Sequence, residues 1–229
     1  MAKIVILTGA GISAESGIRT FRASDGLWED HRIEDVATPE GFESDPDLVH
    51  QFYNARRAAA RAAQPNAAHS ALAALEAAPA HEVLIITQNV DDLHERAGST
   101  RVIHMHGSLF GALCHACGHR WPAPQTMART DACPECGAQA TRPDIVWFGE
   151  MPYRMEEIVR GLEAADLFVS IGTSGNVYPA AGFVQEARAA GIETLELNLE
   201  PSAGTRMFTE ARHGPATRIV PEWVAQISG

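Results

Sequence analysis

Short apolar runs alternate along the chain with segments in which apolar positions recur at helical spacing. The apolar runs have the length of β-strands and lie at residues 3–7, 82–87, 166–171 and 193–197. The segments with helical spacing in the second half of the chain lie at residues 156–165 and 180–190. Strands that alternate with helices are typical of βαβ units, whose strands are parallel and buried on both faces. The pattern therefore predicts an α/β fold with a Rossmann-like, doubly wound parallel sheet.

Two stretches interrupt this alternation. In the first, an acidic and irregular stretch ends at Asp47, and two helices follow at residues 48–63 and 67–77, the second of which Asn66 can cap. The second stretch contains all four cysteines. We therefore predict three parts: a discontinuous Rossmann-like domain, residues 1–28, 80–113 and 141–229; a helical insertion, residues 29–79; and a cysteine-containing module, residues 114–140. The last two would form a smaller lobe.

The composition excludes several classes of protein. The 229 residues include 18 Lys and Arg against 29 Asp and Glu, which gives a formal net charge of -11 at pH 7. Nucleic acid is not expected as a partner, because its phosphates would meet a repulsive field. No apolar stretch approaches the roughly 20 residues needed to cross a bilayer, so no membrane span is expected. Because a strand is predicted to begin at Lys3, we expect no signal peptide and a cytoplasmic protein.

The cysteines have the spacing of a metal site. Cys114, Cys117, Cys133 and Cys136 form two Cys-x2-Cys pairs. In a reducing cytoplasm this spacing is more typical of metal ligands than of disulfides. Four thiolates complete the tetrahedral shell of Zn²⁺ and leave no position for water, so the metal would be structural. Buried thiols without a metal are the alternative.

A glycine-rich turn follows the first predicted strand. The sequence GAGISA at residues 9–14 fits G-x-G-x-x-A, in which glycines let backbone amides and a helix N-terminus approach a pyrophosphate. The acidic residue expected about 20 positions later would fall in the irregular stretch, so the motif is not that of an ordinary dehydrogenase. A tight turn without a ligand would use the same glycines.

Two further groups of polar residues could carry chemistry. Gln88, Asn89 and Asp91 follow the strand at residues 82–87 at its carboxyl end, where α/β sheets bind ligands, although turn capping uses the same side chains. His104 and His106 follow a β-type run, which places both side chains on one face. One of them could act as a general base near neutral pH, and both could equally be structural.

Tyr53 and Arg56 lie three positions apart on a predicted helix, so their side chains are neighbours on one face. A guanidinium and a phenol hydroxyl could together hold a carboxylate. From the residue types alone, the alternative is that both side chains lie on a solvent-exposed face of the helix and bind nothing.

These motifs, in this order, resemble the sirtuin family of NAD-dependent protein lysine deacylases. The resemblance spans nearly the whole chain. It rests on the cysteine pairs and on GAGIS (9–13), GIRTFR (17–22), TQNVD (87–91), HMHG (104–107), PDIVWFGE (143–150), GTS (172–174) and LNLE (197–200). The segment FYNARR (52–57) looks like the class III branch, in which a Tyr and an Arg at this spacing bind an acidic acyl group.

The resemblance implies that the Rossmann-like domain binds NAD as a co-substrate. His106 would be the general base, Asn89 would position the ribose and a water molecule, and Asp91 would hold the nicotinamide carboxamide. The residues implied to bind NAD are Gly9, Ala10, Gly11, Ile12, Ser13, Glu15, Arg19, Phe21, Arg22, Trp28, Gln88, Asn89, Asp91, His106, Gly172, Thr173, Ser174, Asn198, Leu199, Glu200 and Ala216. The four cysteines would hold one structural zinc ion.

The resemblance also implies how the substrate binds. Tyr53 and Arg56 would contact the acyl group of an acyl-lysine protein or peptide. The substrate backbone would be added as a strand beside Val146, Trp147, Phe148, Gly149 and Glu150. The sequence assigns no role to Asp144.

The implied activity is removal of succinyl groups, and also of malonyl and acetyl groups, from lysine, with release of nicotinamide and O-acyl-ADP-ribose. We expect a monomer. Two alternatives remain at this point: transfer of ADP-ribose to protein, and a non-catalytic module that senses NAD and contains a zinc knuckle.

Overall fold

Strands and helices alternate through the residues that the computed structural model describes, 1–19, 27–28 and 31–228. The strands are β1 (Ala2–Thr8), β2 (Leu27–Trp28), β3 (His31–Arg32), β4 (His81–Thr87), β5 (Val102–His104), β6 (Gly107–Cys114), β7 (Arg120–Pro122), β8 (Thr141–Ile145), β9 (Leu167–Ile171), β10 (Glu193–Asn198) and β11 (Glu210–His213). The α-helices are α1 (Ile33–Val36), α2 (Pro39–Ser44), α3 (Pro46–Ala62), α4 (Ala67–Ala77), α5 (Leu93–Ala97), α6 (Met155–Glu163), α7 (Phe183–Ala189) and α8 (Ala216–Ser228).

The main sheet consists of six parallel strands in the order β11-β10-β9-β1-β4-β5. From β1 the chain adds β4 and β5 on one side, and then adds β9, β10 and β11 on the other. The strand order therefore reverses between β1 and β9. The carboxyl ends of these two strands form the crevice in which doubly wound sheets bind ligands. The predicted Rossmann-like α/β architecture is confirmed.

Both faces of the main sheet are buried, because successive side chains of a strand point to opposite sides. In β1, Ile4 and Ile6 pack in one apolar cluster with α4 and α8. Val5 and Leu7 pack in a second cluster with α6 and α7. Burial on both faces explains why the strands appear in the sequence as continuous apolar runs.

The smaller lobe combines a three-stranded antiparallel sheet, in the order β7-β6-β8, with α1, α2 and α3. Asp45 determines where α3 begins, because its carboxylate accepts a hydrogen bond from the Leu48 N–H at 2.9 Å and Pro46 occupies the first turn. The apolar cluster of this lobe contains Tyr53 from α3 and Trp147 from the segment after β8.

The residues before Asp47 were predicted to be irregular, and this prediction is wrong in part. The helices α1 and α2 lie there, and the Thr38 side chain caps α2 by accepting a hydrogen bond from the Gly41 N–H at 2.9 Å. Each helix is too short to show a helical period in its sequence. Within this stretch only a local signal was present, namely Thr38 followed by Pro39.

The division into domains stays a prediction, but the packing of two elements differs from it. Residues 67–77 were grouped with the helical insertion, whereas α4 buries Ala68, Leu72 and Leu75 against the main sheet. Residues 107–113 were grouped with the Rossmann-like domain, whereas β6 pairs with β7 and β8 in the small sheet. The sequence of an amphipathic element shows that it has an apolar face, and does not show which sheet covers that face.

None of the helices within the described ranges is both long and apolar enough to cross a membrane.

Candidate active site

A cavity of about 1090 Å³ extends from the carboxyl ends of β1 and β9 to the smaller lobe. The predicted NAD-binding residues that line it are Gly9, Ala10, Gly11, Ser13, Glu15, Arg19, Trp28, Gln88, Asn89, Asp91, His106, Gly172, Thr173, Ser174, Asn198, Leu199, Glu200 and Ala216. The predicted substrate-binding residues that line it are Tyr53, Arg56, Val146, Trp147, Phe148, Gly149 and Glu150. The fold thus brings both predicted groups to one continuous space.

Three glycines pack against one another at the base of the cavity. The Gly11 N–H donates to the Gly172 carbonyl oxygen at 2.8 Å, which joins the turn after β1 to the turn after β9. A Cβ on Gly11 would lie 2.7 Å from Gly172 Cα, and a Cβ on Gly9 would lie 2.8 Å from the Gly172 carbonyl oxygen. Gly172 itself has φ +63, a conformation that favours glycine. The close approach keeps side chains out of the space where a pyrophosphate would bind.

A buried polar network lies beside this turn. The Asn89 side-chain amide donates to Ser13 Oγ at 3.1 Å, and Ser13 Oγ donates to Asp91 Oδ2 at 3.2 Å. Asp91 Oδ1 accepts from the Leu93 N–H at 3.1 Å. Burial raises the pKa of Asp91, and the bonds from Leu93 and Ser13 oppose part of that rise. The network fixes the side chains of Asn89 and Asp91 at the edge of the cavity.

His106 lies at the middle of the cavity, in the turn between β5 and β6. Its Nδ1 is 3.2 Å from the Gln88 carbonyl oxygen. A carbonyl oxygen only accepts hydrogen bonds, so Nδ1 carries a hydrogen, and in the neutral ring Nε2 then carries the lone pair. Burial lowers the pKa of His106, against a smaller rise from the bond to Gln88. The imidazole is therefore neutral at pH 7 and can accept a proton at Nε2.

Side-chain contacts between distant segments shape the part of the cavity that the predicted NAD-binding residues line. Asn198 at the end of β10 donates from Nδ2 to the Thr173 carbonyl oxygen at 2.9 Å. The two carboxylate oxygens of Glu15 accept from Thr217 N and Thr217 Oγ1, at 3.0 and 2.7 Å. Glu15 therefore holds the first turn of α8 next to Ala216, a structural contact that the sequence did not indicate.

The other end of the cavity is an aromatic cage around Arg56. The Arg56 guanidinium lies 4.2 Å from the centre of the Trp28 ring, and the residue is 6% exposed. Tyr53 is fully buried, and its hydroxyl oxygen accepts a hydrogen bond from Trp147 Nε1 at 3.0 Å. Burial raises the pKa of Tyr53, so the phenol keeps its proton and can donate it into the cavity. The two side chains lie on one face of α3, as predicted.

Arg142, a residue that the sequence analysis did not select, positions the wall of this cage. Its guanidinium stacks 3.5 Å from the centre of the Trp147 ring and contacts both carboxylate oxygens of Glu150, at 2.7 and 2.9 Å. Glu150 Oε2 also accepts from the Trp147 N–H at 2.8 Å. The position of Trp147, and through it of Tyr53, therefore depends on an ion pair between the buried Arg142 and the partly exposed Glu150.

The segment after β8 has few backbone donors left for a substrate. Within residues 146–150, four N–H groups have acceptors inside the protein: Val146 bonds to His106 O, Trp147 to the Glu150 side chain, Phe148 to Ala37 O and Glu150 to Trp147 O. An added peptide strand would therefore use carbonyl oxygens of this segment and the Gly149 N–H.

Asp144 gains a role from the structure. Its Oδ1 accepts from the Tyr153 hydroxyl at 2.8 Å and from Arg120 Nε at 3.3 Å. These contacts join β7 and β8 of the small sheet to the segment that leads into α6.

The four cysteines are positioned to hold one zinc ion. Their sulfur atoms lie within 4.8 Å of one another, with Cys114 Sγ 3.7 Å from Cys136 Sγ and Cys117 Sγ 3.8 Å from Cys133 Sγ. Four thiolates at the usual zinc–sulfur distance form a tetrahedron with edges of about 3.8 Å. The cysteines are free thiols, and the spacing fits the closed, structural site that the sequence predicted.

Ile12 does not line the cavity, although it was predicted to bind NAD. Its side chain is fully buried in the apolar cluster of the main sheet, and its carbonyl oxygen accepts from Asn66 Nδ2 at 2.8 Å. Consecutive residues of this turn face different sides. Gly11 and Ser13 line the cavity, whereas the Ile12 side chain between them points toward the main sheet. The predicted residues Phe21 and Arg22 lie outside the described residues.

Further residues of the site had no distinct signal in the sequence. Asn176 and Tyr178 line the cavity from the loop after β9. His69 and His94 lie behind the turn after β1, with their rings 5.0 Å apart, and His94 Nε2 is 3.0 Å from Thr8 Oγ1. In the sequence, His69 and His94 occupy helix positions among apolar residues and show no feature that marks them as part of the site.

Comparisons with known proteins agree with this geometry. The model of the Sir2 family matches residues 9–179. A protein of Caulobacter vibrioides named NAD-dependent protein deacylase is 56% identical, over 98% of this chain and 96% of its own length. A solved structure of a Sir2 homologue with NAD aligns with a TM-score of 0.90 and 40% identity, over 98% of this chain and 89% of the other. A Sir2 structure bound to an acetylated peptide aligns with a TM-score of 0.82 and 29% identity, over 97% of this chain and 92% of the other. The chain belongs to the Sir2 family.

Proposed function

We propose that this chain is an NAD-dependent protein lysine deacylase that prefers succinyl and malonyl groups and also removes acetyl groups. The observation that carries the proposal is that one cavity contains three groups of residues. They are the glycine cradle of Gly9, Gly11 and Gly172, the neutral histidine His106, and the pair Arg56 and Tyr53. Relatives named NAD-dependent protein deacylase support the reaction class. The acyl preference and the role of each residue are our inference from the contacts.

The glycine cradle fits a dinucleotide. A Cβ at Gly9, Gly11 or Gly172 would lie within 3 Å of backbone atoms, so only glycine leaves the turns this close together. The backbone N–H groups of the turn would bind the pyrophosphate. Asn89 would position the ribose, and Asp91 would contact the nicotinamide amide. When bound, NAD supplies the ribose carbon to which the acyl oxygen is transferred as nicotinamide leaves.

His106 is the proposed general base. Its Nε2 would accept the proton of a ribose hydroxyl, and the Gln88 carbonyl oxygen would hold the Nδ1–H and so keep the ring in the required tautomer. Since burial lowers the pKa of His106, the base is available at neutral pH. The acid side of the pH–rate profile would therefore have its midpoint below the usual histidine value of about 6.5.

Arg56 and Tyr53 are the proposed determinants of acyl preference. A succinyl or malonyl carboxylate would accept hydrogen bonds from the guanidinium and from the phenol, each of them charge-assisted. Such bonds contribute about 1.5–3 kcal/mol each, whereas an acetyl group makes neither. Trp147 already donates to the Tyr53 oxygen, so the phenol hydrogen points away from Trp147 Nε1 and would be donated to the acyl carboxylate.

The remaining predictions concern partners and assembly. We propose that an acyl-lysine protein binds beside residues 146–150, that the chain is a monomer, and that it acts in the cytoplasm. The four cysteines would hold a structural zinc ion that orders the module at one side of the peptide cleft.

The experiment that tests the proposal is an assay on one peptide with succinyl-lysine, acetyl-lysine or unmodified lysine, with and without NAD. Mass spectrometry follows the peptide, nicotinamide and the ADP-ribose product. We expect NAD-dependent loss of the acyl group, with one O-acyl-ADP-ribose formed for each nicotinamide released. ADP-ribose attached to the peptide would instead indicate a protein ADP-ribosyltransferase. Binding of NAD with no reaction would indicate an NAD sensor.

A further inference from the structure

In both His104 and His106, the ring atom Nδ1 contacts a backbone carbonyl oxygen. His106 Nδ1 is 3.2 Å from the Gln88 carbonyl oxygen, and His104 Nδ1 is 3.1 Å from the carbonyl oxygen of the next residue, Asn89. Because a carbonyl oxygen can only accept, each Nδ1 must carry a hydrogen for its bond to form.

The second ring nitrogen distinguishes the two histidines. His106 lines the cavity, so its Nε2 can take up a proton there. His104 Nε2 instead lies 2.6 Å from Glu95 Oε1 on α5. An ionised carboxylate also only accepts, so this bond requires a hydrogen on Nε2 as well. The contacts of His104 are therefore those of an imidazolium, while the contact of His106 requires a hydrogen on Nδ1 only.

The charges around His104 favour the cation. The groups that face it are Glu95 and His94 from α5 and Asp91 from the segment after β4. Burial alone would lower the pKa of His104, but the hydrogen bond and charge of Glu95, with smaller effects of Asn89 and Asp91, raise it. Burial lowers the pKa of His94 well below its usual value, so His94 adds no positive charge.

Asn89 is held by three different groups. Its N–H donates to Thr87 Oγ1 at 3.0 Å, its side-chain amide donates to Ser13 Oγ at 3.1 Å, and its carbonyl oxygen accepts from His104. The first two contacts come from residues on the main sheet and its glycine turn. The third is the contact whose strength depends on a proton, because a charged donor makes a stronger bond than a neutral one.

We propose that Glu95 keeps His104 protonated and that this imidazolium is a positioning residue, which fixes the Asn89 backbone so that the Asn89 side chain stays aligned in the cavity. The inference rests on the proposed function, in which Asn89 orients the ribose and a water molecule. His104 would then be charged and His106, two positions later, would be neutral, and both would serve the same reaction.

The test combines kinetics with a direct observation of protonation. In wild type, kcat should fall as the pH rises through the raised pKa of His104, which gives the pH–rate profile an alkaline side. Glu95→Gln removes the negative charge and should move this alkaline midpoint to lower pH by about 1 to 2 units. The acid side, assigned to His106, should not move. His104→Gln should lower kcat about tenfold, with the KM for NAD little changed.

A matched control is Asp92→Asn, which removes a carboxylate three positions before Glu95, at the residue that precedes α5. Asp92 pairs with Arg96 at 3.6 Å and does not contact His104, so the alkaline midpoint should stay in place. Proton–nitrogen NMR of labelled protein at pH 6.5 should show hydrogens on both ring nitrogens of His104 in wild type. It should show one hydrogen on the ring in Glu95→Gln.

The outcomes separate this inference from the proposed function. Deacylation with an alkaline midpoint that Glu95→Gln leaves unchanged, or a neutral His104 in wild type at pH 6.5, would overturn the positioning role alone. If wild type removes no acyl group from any peptide, the proposed function fails, and the role of His104 in it fails too, whatever the NMR spectra show.

Discussion

The two ends of the cavity are built from different parts of the polypeptide. At the nucleotide end, the shape comes from the backbone, because Gly11 and Gly172 leave their turns in direct contact. At the end where we propose that the acyl group binds, called the acyl end below, the shape comes from large side chains, since Arg56 and Tyr53 are held by Trp28 and Trp147. His106 lies between the two ends, bonded to the backbone beside the glycine turn.

This contrast predicts two kinds of mutational effect. A change at the nucleotide end should alter reaction with every acyl substrate by the same factor, because NAD is common to all of them. A change at the acyl end should alter the ratio between acidic and neutral acyl groups. A change at His106, between the two ends, should also lower the rate for every acyl substrate, and by a larger factor.

The largest effect is expected for His106→Ala. Loss of the proposed general base should lower kcat by about 10² to 10⁴ for succinyl-lysine and acetyl-lysine alike. Steady-state kinetics on both peptides, with zinc content and thermal unfolding of the variant, measure this. Full activity in a folded variant would mean that another group takes the proton.

Gly11→Ala should have the next largest effect. The added Cβ would lie 2.7 Å from Gly172 Cα, so the two turns must separate. We expect kcat/KM for NAD to fall up to about 100-fold, the equivalent of 1–3 kcal/mol of backbone strain, with an unchanged ratio of succinyl to acetyl reaction. Calorimetric titration with NAD measures the binding directly.

The control for this variant is Gly182→Ala, in which the nearest atom to the new Cβ is in the Tyr178 ring at 3.7 Å, an ordinary contact. It should bind NAD as wild type does. Equal losses in Gly11→Ala and Gly182→Ala would show that the effect is general instability.

Tyr53→Phe should have a smaller and more selective effect. It removes the proposed hydrogen bond to an acyl carboxylate and also the acceptor of Trp147 Nε1. We expect kcat/KM for succinyl-lysine to fall about 10-fold or more, and by a larger factor than kcat/KM for acetyl-lysine. Competition between the two peptides in one reaction measures the ratio. A parallel loss for both acyl groups would place Tyr53 in the structure of the cleft rather than in acyl recognition.

The smallest effect concerns stability in acid. Burial behind the glycine turn lowers the pKa of His69 to about 4. The neutral ring therefore contributes stability above the unfolded value of about 6.5, and this contribution is lost as the pH falls from about 6.5 toward 4. The free energy of unfolding should decrease by up to about 1.4 kcal/mol per pH unit in this window. His69→Gln, followed by urea unfolding at several pH values, should show a smaller slope than wild type, and an equal slope would contradict the assignment.

The sequence predicted the elements that have a strong local pattern. The four apolar runs became β1, β4, β9 and β10, because central parallel strands are apolar on both faces. The cysteine spacing predicted the site in which the sulfur atoms come together, since two short knuckles suffice to build it. These features depend on neighbours in the sequence.

Features that depend on distant parts of the chain could not be predicted. The sequence of α4 does not say that Leu72 packs on the main sheet, and Glu15 shows no sign that it holds Thr217. Arg142 resembles any surface arginine until the fold places it on Trp147. The same holds for His104, whose partner Glu95 is contributed by a separate helix.

The measurement that tests the central claim most directly is the competition between succinyl-lysine and acetyl-lysine peptides with NAD, for wild type and Arg56→Met. Methionine keeps a long apolar side chain in the cage but has no positive charge. The account predicts that wild type prefers succinyl-lysine, and that in the variant this reaction falls about 100-fold while acetyl removal continues. Equal loss of both reactions, or a preference that survives the substitution, would contradict it.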